Sequence, residues 1–151
     1  MELIRTTSKD PDFISLVEKL DAYLTGHNGK KDVFYSQFNK IDLLENCIVA
    51  YIDEKAVSCG AFKKVADETI EIKRMYTLPE FRKQHIAKAV LSELEQWAKE
   101  LGFKKLILET AIGLQNAQKL YAGSGYDIIE NYGPYINVKE SVCFSKLINN
   151  A

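Results

Sequence analysis

The stretch that decides the fold is "TIEIKRMYTLPEFRKQHIAKAVL", residues 69–91. Its first nine residues alternate in side-chain character, which is typical of a strand. A proline and a basic cluster follow, and apolar side chains then recur at helical spacing over residues 82–101. The next segment, "KKLILET" at 104–110, is a short apolar strand. A strand, a helix and a second strand in this order predict a right-handed βαβ unit with parallel neighbours.

The segments on either side extend this unit into one α/β domain. A short first strand precedes a helix that we expect to begin after Asp10 and to end at Gly26. Residues 27–42 read as a loop with a short helix, and two strands joined at Asp53-Glu54 predict an antiparallel hairpin. Beyond residue 110 we expect a further short helix and two strands. The predicted order is β-α-(α)-β-β-β-α-β-α-β-β, in a single domain over residues 1–151.

Composition excludes several classes of function. The formal net charge is −1, from 20 basic and 21 acidic residues, which argues against general affinity for nucleic acid or anionic membranes. No apolar run approaches the roughly 20 residues of a membrane span, and the first residues lack a signal-peptide pattern. Three cysteines (Cys47, Cys59 and Cys143) sit in apolar runs and are expected to be buried free thiols. We therefore expect a cytoplasmic protein without a metal site.

The turn before the long helix is the first candidate site. A helix N-terminus offers unpaired N–H groups and a partial positive charge, and Arg82, Lys83 and Lys88 add full charges nearby. Cations in a first helical turn oppose the helix dipole unless an anion is present. The pattern therefore indicates phosphate binding, although a solvated basic patch would explain it as well.

Two further side chains could carry chemistry. Strand alternation places Glu71 on the face of Met75, flanked by apolar positions, where desolvation would favour a general base. A salt bridge to Lys73 or to a neighbouring strand is the structural alternative. In "NAQKLYAGSGY", residues 116–126, Tyr121 could donate a proton or could belong to the core, and the pattern does not decide between these roles.

These segments together resemble the GNAT superfamily of acyl-CoA-dependent N-acetyltransferases. The resemblance is carried by "IKRMYTLPEFRKQHIAKAVL", "LILET" and "NAQKLYAGSGY" in this order, and it covers residues 46–147 well. It implies a mixed, mostly antiparallel central sheet of about seven strands with helices on both faces. The family's loop pattern is Q/R-x-x-G-x-G/A, and residues 82–87 read RKQHIA. The first and last positions match, whereas His85 stands where the family has glycine.

The resemblance implies a set of site residues. Glu71 lies 11 residues before the loop, at the family's catalytic glutamate, and Tyr121 matches the tyrosine near the thioester sulfur. Met75, Tyr76 and Thr77 would pair with pantetheine through main-chain hydrogen bonds, and Asn116 would contact it as well. The residues implied for the CoA pyrophosphate are those of the loop: Arg82, Lys83, Gln84, His85, Ile86, Ala87 and Lys88.

The implied reaction is direct attack of an amine on acetyl-CoA, without a metal or a covalent enzyme intermediate. A catalytically silent acyl-CoA sensor of the same fold is the alternative, and an interaction domain without a small ligand is a third interpretation. Aromatic residues of the two flanking loops are candidates for the acceptor pocket, or for packing against strands: Tyr35, Phe38, Tyr132 and Tyr135. The acceptor amine stays open, and we expect a monomer or homodimer.

Overall fold

The computed structural model describes residues 1–28 and 43–148 of the chain. These residues contain seven strands and three α-helices. For residues 25–28 only the backbone is described. The strands are β1 (Glu2–Thr6), β2 (Asn46–Ile52), β3 (Lys55–Ala66), β4 (Thr69–Thr77), β5 (Lys105–Ala111), β6 (Asp127–Ile129) and β7 (Ser141–Leu147). The helices are α1 (Pro11–Asn28), α2 (Ile86–Glu100) and α3 (Gln115–Gly123). Their order along the chain is the predicted one; the loop with a short helix expected over residues 27–42 lies, from residue 29 on, outside the described residues.

The strands form one sheet in the order β1-β2-β3-β4-β5-β7-β6. β4 and β5 are parallel, as the βαβ pattern predicted, whereas the β1–β2, β2–β3, β5–β7 and β6–β7 pairs are antiparallel. The predicted fold class, a mixed α/β sheet of about seven strands, is therefore confirmed.

The β2–β3 hairpin turns on two residues, as its sequence predicted. Ile52 pairs with Lys55, and both residues between them have positive φ, 49° at Asp53 and 68° at Glu54. Two successive positive φ values define a type I′ turn, whose twist matches that of the flanking strands. The turn therefore accounts for the antiparallel register of the pair.

Helix α1 begins where its capping residue predicted and ends later than expected. The Asp10 carboxylate accepts a hydrogen bond from the backbone N–H of Asp12 at 2.8 Å, which caps the helix. Phe13, Leu16 and Val17 are buried along one face. The helix continues to Asn28, so the prediction that Gly26 ends it was wrong. A glycine inside a helix costs only about 1 kcal/mol, which surrounding structure can offset.

Helix α2 also differs from its prediction at the start. Apolar spacing suggested a start at residue 82, but the helix begins at Ile86, because Lys83 and His85 adopt positive φ values that an α-helix excludes. Ile86, Val90 and Leu94 are buried as predicted, whereas Leu101 lies beyond the helix and is exposed. Gly102, at φ 91°, follows the last turn and closes it, as predicted.

Gly60 on β3 makes room for side chains from β4 and α2. A Cβ at this position would lie 2.5 Å from the Met75 sulfur and 3.1 Å from Cγ1 of Val90. A side chain at this position would have to displace these neighbouring side chains. The glycine therefore lets Met75 fill the space between β3 and the apolar face of α2.

The described residues divide into two compact units. The first comprises Met1–Phe62 and Arg74–Leu94, and the second comprises Lys63–Lys73 and Glu95–Ala151. β4 and α2 each contribute residues to both units. The expectation of a single domain over residues 1–151 stays a prediction. None of the helices described here has the length and apolar character needed to cross a membrane.

Candidate active site

The turn before α2 contains no glycine, yet its backbone adopts conformations that glycine usually supplies. We call residues 77–88 the turn region. After a 3-10 turn at Pro79–Phe81, Lys83 and His85 adopt φ values of 64° and 63°. Histidine is among the non-glycine residues found in this left-handed conformation, whereas β-branched residues are rare there. His85 therefore takes the conformation that the family's glycine supplies, and its side chain is exposed.

The turn region ends in a helix N-terminus without acidic side chains. The carbonyl of His85 accepts the N–H of Ala89 at 3.1 Å, so His85 caps the helix with its backbone. The N–H groups of Ile86, Ala87 and Lys88 have no intrahelical carbonyl to bind, as in any first turn. No acidic residue lies in this turn. These groups and the helix dipole favour an anion at this end of α2.

Arg82 is held against the end of β4. Its Nε donates to the carbonyl of Thr77 at 3.0 Å, and its guanidinium lies 5.2 Å from the ring centroid of Tyr23 and 5.7 Å from that of Tyr76. Two aromatic faces and one carbonyl orient the side chain while it stays exposed. The charge is therefore positioned before any ligand binds.

The end of β4 is irregular at Arg74. This residue has φ 62°, which interrupts the two-residue repeat of an extended strand. The prediction that Glu71 and Met75 share a face assumed unbroken alternation, and that premise was wrong. The buried Arg74 side chain donates from Nη1 to Asp21 at 3.2 Å, and the Cys59 thiol donates to the Arg74 carbonyl at 3.3 Å. Tertiary contacts therefore hold the irregular conformation.

Beyond Glu71, β4 is no longer paired with β5. The pairing covers only Thr69–Glu71, although β4 continues to Thr77. The carbonyls of Tyr76 and Thr77 accept hydrogen bonds from the Ser58 hydroxyl and from Arg82. A strand edge that has lost its neighbouring strand can bind an extended chain that carries amide groups.

In the second unit, Glu71 is buried and accepts a hydrogen bond from Tyr132. Glu71 is 8% exposed, and the Tyr132 hydroxyl donates to its Oε2 at 2.6 Å. Burial and the neighbouring Glu71 charge both raise the pKa of the Tyr132 phenol, so this hydroxyl stays protonated and keeps donating. Tyr135 packs edge-on against the Tyr132 ring at 5.8 Å. The carboxylate is therefore oriented by Tyr132, one of the candidates for the acceptor pocket or for packing against strands.

A second carboxylate lies on the neighbouring strand. Glu109 on β5 accepts a hydrogen bond from the Ser141 hydroxyl at 2.6 Å. The pKa of Glu109 is raised from 4.5 to about 7, chiefly by burial and in smaller part by the charge of Glu71, against the lowering effect of this hydrogen bond. Lys73 lowers the pKa. We call Glu71, Tyr132, Glu109 and Ser141 the carboxylate cluster.

The raised pKa of Glu109 predicts a specific pH dependence of stability. Between pH 4.5 and 7 the folded state binds a proton that the unfolded chain releases, so the free energy of unfolding falls as pH rises through this window. Relative to the Glu109→Gln variant, we expect wild type to lose up to about 3 kcal/mol across it, at about 1.4 kcal/mol per pKa unit. Urea unfolding of both proteins at pH 5 and pH 8 measures this difference. The same pH dependence of the free energy of unfolding in wild type and in Glu109→Gln would contradict the raised pKa of Glu109.

Helix α3 presents Tyr121 inward and Asn116 outward. Tyr121 is the buried residue of this helix, and its ring lies 5.8 Å from that of Phe144 and 5.9 Å from that of Tyr126. Burial raises the pKa of the Tyr121 phenol, and the charge of Glu109 raises it further. Asn116 lies in the first turn of α3 and is exposed. Tyr121 is thus a core residue whose hydroxyl keeps its proton at neutral pH.

The cysteines behave as predicted. Cys47, Cys59 and Cys143 are free and buried. Burial raises the pKa of Cys47 to about 12 and that of Cys143 to about 11, so neither is a thiolate nucleophile near neutral pH. Within residues 1–28 and 43–148, no three histidine, cysteine or acidic side chains lie close enough together to hold a metal ion.

The family model for the acetyltransferase (GNAT) family matches residues 13–126, which include β2 to β5, the turn region and α3. The chain belongs to the GNAT acetyltransferase family. This confirms the predicted resemblance, and the match spans Glu71, residues 82–87 and Tyr121.

Relatives in sequence support the same family. The chain is 30% identical over 99 residues to the uncharacterized N-acetyltransferase YsnE of Bacillus subtilis, covering 64% of this chain and 66% of YsnE. It is 29% identical over 133 residues to the IAA acetyltransferase of Azospirillum brasilense, covering 81% of each chain. The chain therefore spans about two thirds or more of these two relatives.

Solved GNAT-like structures share the fold. A Klebsiella pneumoniae protein assigned to the acyl-CoA N-acyltransferases has a TM-score of 0.81 and 26% identity, with 98% of this chain and 97% of that chain covered. The PaiA N-acetyltransferase of Thermoplasma acidophilum, solved with coenzyme A, has a TM-score of 0.68 and 18% identity, with 97% and 98% covered. At such low identity, the second comparison shows the fold alone.

This GNAT chain places most of the predicted residues in two groups. Met75, Tyr76, Thr77 and the loop residues belong to the first unit, whereas Glu71, Tyr121, Asn116, Tyr132 and Tyr135 belong to the second. Tyr35 and Phe38 lie outside the described residues. The roles of all these predicted residues in binding and catalysis stay predictions. Glu109 was missed, although a lone carboxylate in the apolar stretch "LILET" is the same signal that singled out Glu71.

Proposed function

We propose that this GNAT protein transfers the acetyl group of acetyl-CoA to a primary amine of a small molecule or peptide by direct attack. The observation that carries the proposal is the left-handed backbone at Lys83 and His85, which keeps an anion-binding turn despite the missing glycine. His85 was the main reason to consider a sensor without turnover, and its conformation weakens that reason. The buried, oriented Glu71 carboxylate favours an enzyme.

The turn region and the end of β4 suit acetyl-CoA. The N–H groups at 86–88 and the positioned Arg82 would hold the pyrophosphate, with the other loop residues completing the turn. The backbone of Met75, Tyr76 and Thr77 would pair with the pantetheine amides. Asn116, exposed in the first turn of α3, would add a side-chain contact to pantetheine. GNAT proteins solved with CoA and with acetyl-CoA support this co-substrate.

Acetyl transfer itself would use Glu71, the backbone of Met75 and Tyr121. The Glu71 carboxylate would take a proton from the acceptor ammonium, directly or through water, with Tyr132 holding its orientation. The neutral amine would attack the acetyl carbonyl, and the N–H of Met75 is our candidate donor to the oxyanion. As the C–S bond breaks, Tyr121 would protonate the departing thiolate. Tyr35, Phe38, Tyr132 and Tyr135 stay our candidates for the acceptor pocket.

Two measurements test the function. A thermal shift with CoA tests binding, and thiol release from acetyl-CoA in the presence of an amine panel tests turnover. We expect stabilisation by CoA and thiol release that depends on the amine. Absence of any shift would overturn the proposal. A shift without release across many amines would favour the sensor.

The backbone of the turn, rather than the imidazole, should bind the phosphate groups. We expect His85→Gly to bind acetyl-CoA within about threefold of wild type, because glycine adopts positive φ freely. His85→Val should bind at least about tenfold more weakly, since a β-branched residue disfavours this conformation. Isothermal titration calorimetry measures both affinities. A large loss in the glycine variant would instead show that the ring contacts the ligand.

A further inference from the structure

Glu71 and Glu109 lie on one face of the sheet, on neighbouring parallel strands. Glu71 pairs with Ile107 across β4 and β5. Glu109 comes two residues after Ile107, and side chains two residues apart on a strand point to the same face. Both carboxylates bind hydroxyl groups of one segment, residues 131–141, which ends at the first residue of β7.

The same segment orients both carboxylates. Tyr132 donates to Glu71 and Ser141 donates to Glu109, each at 2.6 Å. The Asn131 amide closes the segment by donating to the carbonyls of Val138 at 3.0 Å and Ser141 at 3.1 Å. Hydrogen bonds of this length to carboxylates are strong and directional. These hydrogen bonds therefore fix the orientation of both carboxylates.

Acetylation of an ammonium removes two protons from nitrogen, and one of them finally rests on the CoA sulfur. The attacking nitrogen starts as an ammonium and loses one proton before attack and a second after the C–N bond forms. Once Glu71 has taken the first proton it can accept no other until it unloads. A second carboxylate on the same face would remove this restriction, and Glu109 has the pKa, about 7, that suits proton exchange at neutral pH.

We propose that Glu109 is a second proton acceptor of the acetyl-transfer reaction, which works beside Glu71 and passes its proton to Tyr121. This inference rests on the function proposed above. Glu71 takes the first proton, the C–N bond forms, and Glu109 takes the second proton from nitrogen as the C–S bond breaks. Tyr121 protonates the thiolate and is reprotonated by Glu109, and Glu71 releases its proton to water. The ammonium and acetyl-CoA thus become the amide, CoA thiol and one proton.

The charged and titratable groups that face Glu109 agree with this role. From β4, Glu71 raises the pKa of Glu109 and Lys73 lowers it. From β7, Glu109 raises the pKa of the Cys143 thiol, which stays neutral. From α3, Glu109 raises the pKa of the Tyr121 phenol, so the two groups interact. A proton on Glu109 would relieve its repulsion with the Glu71 carboxylate, and also with the tyrosinate that Tyr121 becomes once it has given up its proton.

The test combines a pH profile with a direct titration. Glu109→Gln keeps an oxygen that can accept from Ser141, and we expect kcat to fall at least about tenfold at pH 7.5. The ionisation near pH 7 should disappear from its pH–rate profile, whereas Glu109→Asp should retain an ionisation. Glu130→Gln, an exposed carboxylate of the same unit, is the matched control and should match wild type. Affinity for acetyl-CoA should stay within about twofold in each variant.

A ¹³C NMR titration of glutamate carboxyl groups gives a readout that does not depend on turnover. A carboxyl group titrating near pH 7 should be present in wild type, absent in Glu109→Gln, and shifted to lower pH in Glu71→Gln. Its absence from wild type would overturn the inference. An active wild type with an unchanged profile in Glu109→Gln would overturn this inference alone. A wild type that acetylates no amine would overturn the proposed function as well.

Discussion

Replacing Glu71 with glutamine is expected to lower kcat by about 100-fold or more at neutral pH, the usual contribution of a positioned general base. The loss should be largest at low pH, where the acceptor amine is fully protonated, and should shrink as the amine deprotonates by itself. Affinity for acetyl-CoA should stay nearly unchanged, since the turn region is untouched. Thiol release measured from pH 6 to pH 9 gives the profile.

Tyr132→Phe is a milder substitution at the same hydrogen bond and can be compared with Glu71→Gln. Glutamine can still accept the 2.6 Å hydrogen bond from Tyr132, so the loop that carries Tyr132 should keep its place. Tyr132→Phe keeps the carboxylate and removes only its partner, and its effect on kcat should be smaller than that of Glu71→Gln. Wild-type turnover in Glu71→Gln at every pH would rule out the base.

The second large effect is expected from Tyr121→Phe, which should slow the chemical step by about 10- to 100-fold. The substitution keeps the ring that packs against Tyr126 and Phe144, so it removes little besides the hydroxyl. Loss of the proton donor would leave the departing CoA as an unprotonated thiolate. Single-turnover measurement of thiol release isolates this step from product release.

Tyr126→Phe is the matched control for Tyr121. It removes a hydroxyl from the neighbouring ring, where that group donates to Glu95 at 2.7 Å. We expect it to lower the free energy of unfolding by about 1 kcal/mol and to leave the chemical step unchanged. If Tyr121→Phe changes only the melting temperature, Tyr121 is a core residue without a chemical role.

The sequence predicted the features that depend on local spacing. The β4–turn–α2–β5 unit, the hairpin at Asp53-Glu54 and the buried cysteines follow from periodicity and turn chemistry within a few residues. Glu71 was found because a carboxylate between apolar neighbours is costly unless it serves a purpose. These predictions needed no knowledge of distant contacts.

The features that sequence reasoning missed depend on residues far apart in the chain. Tyr132 binds a carboxylate 61 positions away, and Ser141 binds one 32 positions away, so neither pairing has a local signal. The irregularity at Arg74 is held by Asp21 and Cys59 from other elements. The later start of α2 follows from two residues that can adopt positive φ but do not have to.

The burial of all three thiols has a practical consequence for studying this protein. A thiol-reactive dye should report the CoA released in solution without a background from the native protein, because Cys47, Cys59 and Cys143 are inaccessible. Unfolding would expose three reactive groups per chain. The same reagent without substrate therefore counts unfolded molecules, and its rate of labelling can measure how often the native structure opens.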